Sequence, residues 1–118
     1  MSTTFQPVLE ALTRQRGVSA GLVVSERDGI VVDARLRIGE RGDRVAALAA
    51  SLYRKARLSA EAAGLGAVGF LQMEAERGRV CAVGHGDLVL VVVAARDANV
   101  GLIRVEMLRA LDRLEALA

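Results

Sequence analysis

Seven apolar residues run without a break from Leu88 to Ala94, and the five that follow, Ala95-Arg96-Asp97-Ala98-Asn99, are small or polar. A short, valine-rich run of this kind reads as a strand buried on both faces. The next stretch, Val100-Gly101-Leu102-Ile103-Arg104-Val105-Glu106-Met107-Leu108, reads as the start of an amphipathic helix opened by a polar cap and reaching about Leu117. A strand covered on both faces needs helices above and below it, so this stretch alone implies a layered α/β domain.

At 118 residues the chain is expected to form one domain, 1–118, with a modest core. An apolar content of 53% excludes wholesale disorder. Aromatics make up 3% and Trp is absent, so the core must be built from Val, Leu, Ile and Ala, and stacking platforms for bases are scarce. Net charge is only +2, and the densest basic grouping is Arg54-Lys55 with Arg57, which argues against a nucleic-acid binder. Cys81 is the only cysteine, which excludes an internal disulfide and a multi-cysteine metal site. The N-terminal stretch is polar and holds Pro7, and no run reaches the ~18 apolar residues of a membrane span. The expectation is a cytoplasmic, soluble protein with no membrane insertion. Fifteen arginines against one lysine, with abundant Ala and Gly, fit a GC-rich bacterial coding bias.

Along the chain, Thr3 or Thr4 can cap a first helix to about Arg16, with Pro7 in its first turn, a stripe of Val8, Leu9 and Leu12, and Gly17 as its stop. Val18–Ser25 reads as a strand apolar on both faces, and Glu26-Arg27-Asp28-Gly29 as a hairpin turn. The return strand, Ile30–Arg35, alternates Ile30, Val32 and Ala34 with Val31, Asp33 and Arg35, which suits an edge. A polar loop over 37–42, with Gly39, leads to a helix capped by Asp43 and ending near Ala63. Its helical-period positions are Val45, Leu48, Ala49, Leu52 and Ala56. Ala46, Ala47, Ala49 and Ala50 form a smooth flank that another helix could approach. Gly64 and Gly66 stop this helix. Strands at Ala67–Glu76, Arg79–His85 and Leu88–Ala94 follow, with turns at Arg77-Gly78 and Gly86-Asp87. The order is α-β-β-α-β-β-β-α. Local hairpins and central placement of the two most apolar strands give a single five-stranded antiparallel sheet, order 2-1-5-4-3, with helices on both faces, an α/β (α+β) fold. The third strand is then an open edge, and its economical cover is the same strand of a second copy.

Gly64-Leu65-Gly66-Ala67-Val68-Gly69 matches the dinucleotide fingerprint in letters only. It follows a helix and opens a strand, the reverse of the context that brings a pyrophosphate to a helix N-terminus. His85, the only histidine, flanks a turn with Asp87 two residues on, and reads as a surface residue. Cys81, mid-strand among apolar residues, reads as a small buried hydrophobe. No nucleophile elbow and no carboxylate pair stand out, so no catalytic residue, cofactor or metal is assigned. Arg44, Tyr53, Arg54, Lys55 and Arg57 decorate the long second helix. They are either an ordinary solvated face or a docking surface for an acidic or mixed-charge partner, since Tyr and Arg are favoured interface anchors.

Gly17-Val18 before the first strand, Val23-Val24-Ser25 running into Asp28-Gly29, the Ala-rich helix from Arg44 to Ala63, and Ala95-Arg96-Asp97-Ala98-Asn99-Val100-Gly101 together resemble the roadblock/dynein light-chain domain family over nearly the whole chain. The bacterial gliding-motility branch of that family is the nearest likeness. Its members accompany small Ras-like GTPases. The resemblance implies a homodimer on paired third strands with the second helices side by side, placing Val68, Phe70, Leu71, Met73, Ala49 and Leu52 at the dimer interface. It implies a non-enzymatic regulator of a small Ras-like GTPase. In that branch the dimer repositions the GTPase's own groups and inserts no arginine finger, so Arg44, Tyr53, Arg54, Lys55 and Arg57 would be partner contacts. Longer members carry a C-terminal extension, and with the sequence ending at Ala118 no tail-borne role is expected. A passive dimeric scaffold and a small-molecule sensor are the alternatives.

Overall fold

The computed structural model describes residues 4–37 and 42–117, the side chains of 42, 43 and 117 aside. Thr3 as a cap, the loop around Gly39 and the capping side chain of Asp43 lie outside the described residues. The elements are α1 (Gln6–Thr13), β1 (Val18–Ser25), β2 (Val31–Leu36), α2 (Gly42–Ala62), β3 (Leu71–Ala75), β4 (Gly78–His85), β5 (Leu88–Ala94) and α3 (Val100–Leu117). The strands form one sheet in the order β2-β1-β5-β4-β3, antiparallel throughout, as the sequence predicts. Among the described residues no helix is long and apolar enough to cross a membrane.

The two-sided apolarity of β1 and β5 is satisfied by two cores. On one face Val23, Leu90 and Val92, with Cys81 and Val83, pack against Val8, Leu9 and Leu12 of α1 and Ile103, Met107, Ala110 and Leu114 of α3. On the other face Ala20, Leu22, Val24, Ala82, Val89 and Val91 meet Ala46, Ala49, Ala50 and Tyr53 of α2. Asn99 caps α3, its side-chain oxygen accepting from the Leu102 amide at 3.0 Å.

Four local expectations are corrected. Helix α1 ends at Thr13 rather than Arg16, and Phe5, without a side-chain cap, precedes it. The Thr13 hydroxyl donates back to the Leu9 carbonyl at 2.9 Å, the local competition that ends helices. Gly17 lies beyond, in the left-handed region (φ 87°), where a Cβ would stand 2.9 Å from that of Ala98.

In β2 the expected alternation fails. A bulge pairs Val23 with Asp33 but Val24 with Val31, leaving Val32 as the extra residue. Asp33 therefore turns inward and is only 2% exposed. It accepts from Gln6 Nε2 at 2.7 Å and from the Ala34 amide at 3.0 Å, which ties α1 to the edge strand.

Strand β3 is five residues, not ten, and the β3–β4 loop is Glu76-Arg77, with Gly78 already paired to Ala75. The ladder stops at Leu71 opposite Ala82. Upstream, the Val68 carbonyl accepts from the Tyr53 hydroxyl at 3.3 Å instead of joining a ladder.

Helix α2 is rotated from its expected facing. Its Ala46, Ala49 and Ala50 flank is fully buried on its own sheet, whereas Leu48 is 45% exposed. Ala20, Leu22, Val24, Ala82, Val89 and Val91 of the sheet pack against these alanines and the Tyr53 ring, which leaves the larger Leu48 outside.

Candidate interaction surface

The chemistry-bearing residues stay apart. Cys81 is buried, and burial pushes its thiol above the ordinary 9.0, with Arg79 pulling weakly the other way. His85 Nδ1 lies 3.3 Å from Glu115 on α3, a surface pairing. Gly64 and Gly66, both with positive φ, close α2 and open an unpaired stretch, so the glycine motif marks a helix end. Among the described residues no three His, Cys, Asp or Glu side chains gather as a metal site.

The two sheet edges differ. β2 carries the devices that blunt an edge: a bulge, an inward carboxylate, and Arg35 and Arg37 at its exit. β3 has a regular register, and α2 rests mainly on β1, β2, β4 and β5. Leu71 and Met73, opposite Ala82 and Val80, face the α2 side and stay half-buried. With Leu52, Lys55, Ala56, Ser59 and Gln72 they line a groove of about 350 Å³ between helix and edge. Val68 packs on the same side. Phe70 turns to the opposite face, where the Arg104 guanidinium stands 5.5 Å from its ring centroid. Of the residues assigned to a dimer interface, Leu52, Val68, Leu71 and Met73 thus share one side. Phe70 does not, and Ala49 is spent in the protomer's own core.

The partner-contact residues divide similarly. Arg44, Arg54 and Lys55 are exposed on α2. Tyr53 is 5% exposed, beneath the helix, with burial raising its hydroxyl above the ordinary 10.0 while the Gly84 backbone opposes. It is a core residue, not an exposed anchor. Arg57 is latched to Glu26 of the β1–β2 turn, with Nη2 to Oε1 at 2.6 Å and Nε to Oε2 at 3.2 Å. The Glu26 hydrogen bond, and then its charge, hold this guanidinium above its ordinary range. The turn itself is pinned by Asp87, which accepts from Ser25 Oγ at 2.9 Å and the Arg27 amide at 3.1 Å. Nothing in the sequence signals a Glu26–Arg57 pair 31 residues apart. The inward Ala46-Ala49-Ala50-Tyr53 set is helically spaced, but the larger Val45, Leu48 and Leu52 on a neighbouring stripe mask it in the sequence.

Comparison with known proteins places this architecture. The uncharacterized protein MJ0310 of Methanocaldococcus jannaschii is 32% identical over 110 residues, 93% of this chain and 96% of that protein. Myxococcus xanthus MglB superposes with a TM-score of 0.83 at 20% identity, covering 95% of this chain and 92% of that one. A structure described as MglB with tetrameric arrangement gives 0.84 at 21% identity, over 100% and 92%. The Roadblock/LC7 domain model matches residues 4–94, a stretch that stops short of the Asp97–Gly101 run. The chain belongs to the Roadblock/LC7 domain family.

Proposed function

We propose that this chain acts as a homodimer, joined by β3 edges and the adjoining flank of α2, that regulates a small Ras-like GTPase without chemistry of its own. The observation that carries the dimer is the contrast between edges. β2 is blunted, whereas β3 is regular, carries Leu71 and Met73, and borders an apolar groove. Pairing two β3 strands would satisfy the free backbone groups and cover that groove in one step. The tetrameric arrangement described for one MglB supports self-association of this fold.

The GTPase reading rests on family membership and on the likeness to MglB, and it assigns Arg44, Arg54 and Lys55 as exposed contacts. Tyr53 and Arg57 act behind them, one as core and one as a brace for the hairpin. Light scattering at micromolar concentration is expected to give twice the monomer mass, and Leu71→Asp to give the monomer mass or an insoluble protein. A monomeric wild type refutes the dimer. Adding the protein to a Ras-like GTPase encoded beside it is expected to change hydrolysis or nucleotide exchange. Binding without a rate change would favour the passive scaffold, and the absence of both would overturn the GTPase reading.

A further inference from the structure

We infer that the flank of α2 beside the β1–β2 turn docks an acidic segment of a partner protein, with the Arg27 and Arg54 guanidinium groups as its anchors. The inference rests on reading α2 as the partner-facing helix, and adds which flank is used and the chemistry it takes. At this end of the sheet two of the three acids, Glu26 and Asp87, are already committed. Glu26, its side chain 10% exposed, is bound by Arg57 in two contacts. Asp87 accepts from Ser25 Oγ and the Arg27 amide, and its backbone carbonyl accepts from the Glu26 amide at 2.7 Å. The cations are not committed. Among the described residues the side chains of Arg27, Arg54 and Lys55 form no ion pair and no hydrogen bond.

Arg27 and Arg54 stand between two adjoining hollows. One, about 330 Å³, is bounded by Glu26, Arg57, Gly86 and Asp87. The other, about 470 Å³, runs along α2 past Lys55 to the half-exposed Leu58. A carboxylate-bearing chain laid along them would meet two planar forks, one ammonium and an apolar rim. Guanidinium forks match carboxylates in bidentate geometry. The formal sum over Arg27, Arg54, Lys55 and Arg57 against Glu26, Asp28 and Asp87 is only +1, so presentation, not bulk charge, does the selecting. Asp28, exposed on the rim, is the one acid here that opposes the ligand. The brace from Asp87 and Arg57 holds the Arg27 backbone in place, so little of the surface must be ordered on binding.

The test is fluorescence anisotropy with a fluorescein-labelled deca-glutamate peptide in low salt, where the Debye length is long. Wild type is expected to bind. Arg27→Glu with Arg54→Glu is expected to weaken binding about ten-fold or more, as loss of charge-assisted contacts should. Arg113→Glu, an exposed position on α3 across the sheet, is expected to change it by less than about two-fold. If the double variant fails to fold by circular dichroism, Arg27→Gln with Arg54→Gln replaces it. Absence of wild-type binding overturns the proposal, and so does an equal loss in Arg113→Glu, which would mean diffuse attraction. Peptide binding at Arg27 and Arg54 with no GTPase response would leave this surface standing and remove the GTPase reading. A GTPase that binds but ignores both arginine substitutions would do the reverse.

Discussion

Gly84→Ala tests whether Tyr53 belongs to the core or to a binding surface. A Cβ built at Gly84 stands 2.5 Å from Tyr53 Cε2, 2.6 Å from Cζ and 2.6 Å from the hydroxyl. The ring lies under α2 at 5% exposure, so it has little room to swing aside. Either the ring or the helix must shift, and overpacking of this kind costs about 1–3 kcal/mol. The shift also breaks the 3.3 Å bond to the Val68 carbonyl, worth about 1 kcal/mol. A total of about 2–4 kcal/mol is a large fraction of a domain's ~5–15 kcal/mol.

Urea unfolding at one fixed protein concentration measures the loss, since any self-association would make stability depend on concentration. The decisive arm is a double-mutant cycle with Tyr53→Ala. That change alone should cost about 3–5 kcal/mol by opening a cavity. With the ring gone the new methyl meets empty space, and Gly84→Ala should then cost nothing or stabilise by up to about 1 kcal/mol. A coupling energy well above about 0.5 kcal/mol is therefore expected. An equal cost of Gly84→Ala in both backgrounds would refute ring packing as the reason for glycine at this position.

Removing Gln6 leaves the 2%-exposed Asp33 carboxylate with the Ala34 amide alone, so Gln6→Ala should lower stability by about 1–3 kcal/mol in urea unfolding; no change would mean that the carboxylate has other support. Asn99→Ala removes the cap on α3 and should cost about 0.5–2 kcal/mol, read as a lower denaturation midpoint at unchanged slope. Burial raises both Tyr53 and Cys81 above their ordinary 10.0 and 9.0, so the unfolded chain gives up these protons first. Their contribution is whole below pH 9 and drains away as pH rises through 9 and 10, which predicts falling stability on the alkaline side. Tyr53→Phe with Cys81→Ala should flatten that fall, and an unchanged slope would assign it elsewhere.

The strand order was legible because only one arrangement gives the two-sided apolar strands β1 and β5 neighbours on each side while keeping local hairpins. Side-chain size hides the facing of α2. In α2 the larger apolar residues, Val45, Leu48 and Leu52, look like the core stripe, whereas the side chains that fill the space over Ala20, Leu22, Val24, Ala82, Val89 and Val91 are Ala46, Ala49, Ala50 and Tyr53. The facing of a helix depends on the depth of the surface that it meets, and that depth is set by residues far away in sequence. The bulge in β2 is equally invisible. Period two predicts an outward Asp33, and one extra residue at Val32 turns it inward. The ten-residue third strand failed for a tertiary reason too, since the Tyr53 hydroxyl holds the carbonyl of Val68.

The inverted facing of α2 also bears on function. A helix that only covered its own sheet would gain by turning leucines inward, since apolar area removed from water contributes roughly 25 cal/mol per Å². Here alanines are inside, Leu48 is 45% exposed, and Leu52 lines an incompletely filled groove beside Leu71 and Met73. Single exposed leucines are ordinary, but one helix flank continuous with a regular, unblunted strand edge is a contiguous patch. In the proposed dimer a second copy meets helix and strand together, while Arg27 and Arg54, on the far side of α2 from that groove, stay open to a partner of another kind; Lys55 borders both sides. The same packing choice that confounds the periodic reading of α2 leaves Leu48 and the Leu52 groove side outward, which is what the proposed dimer uses.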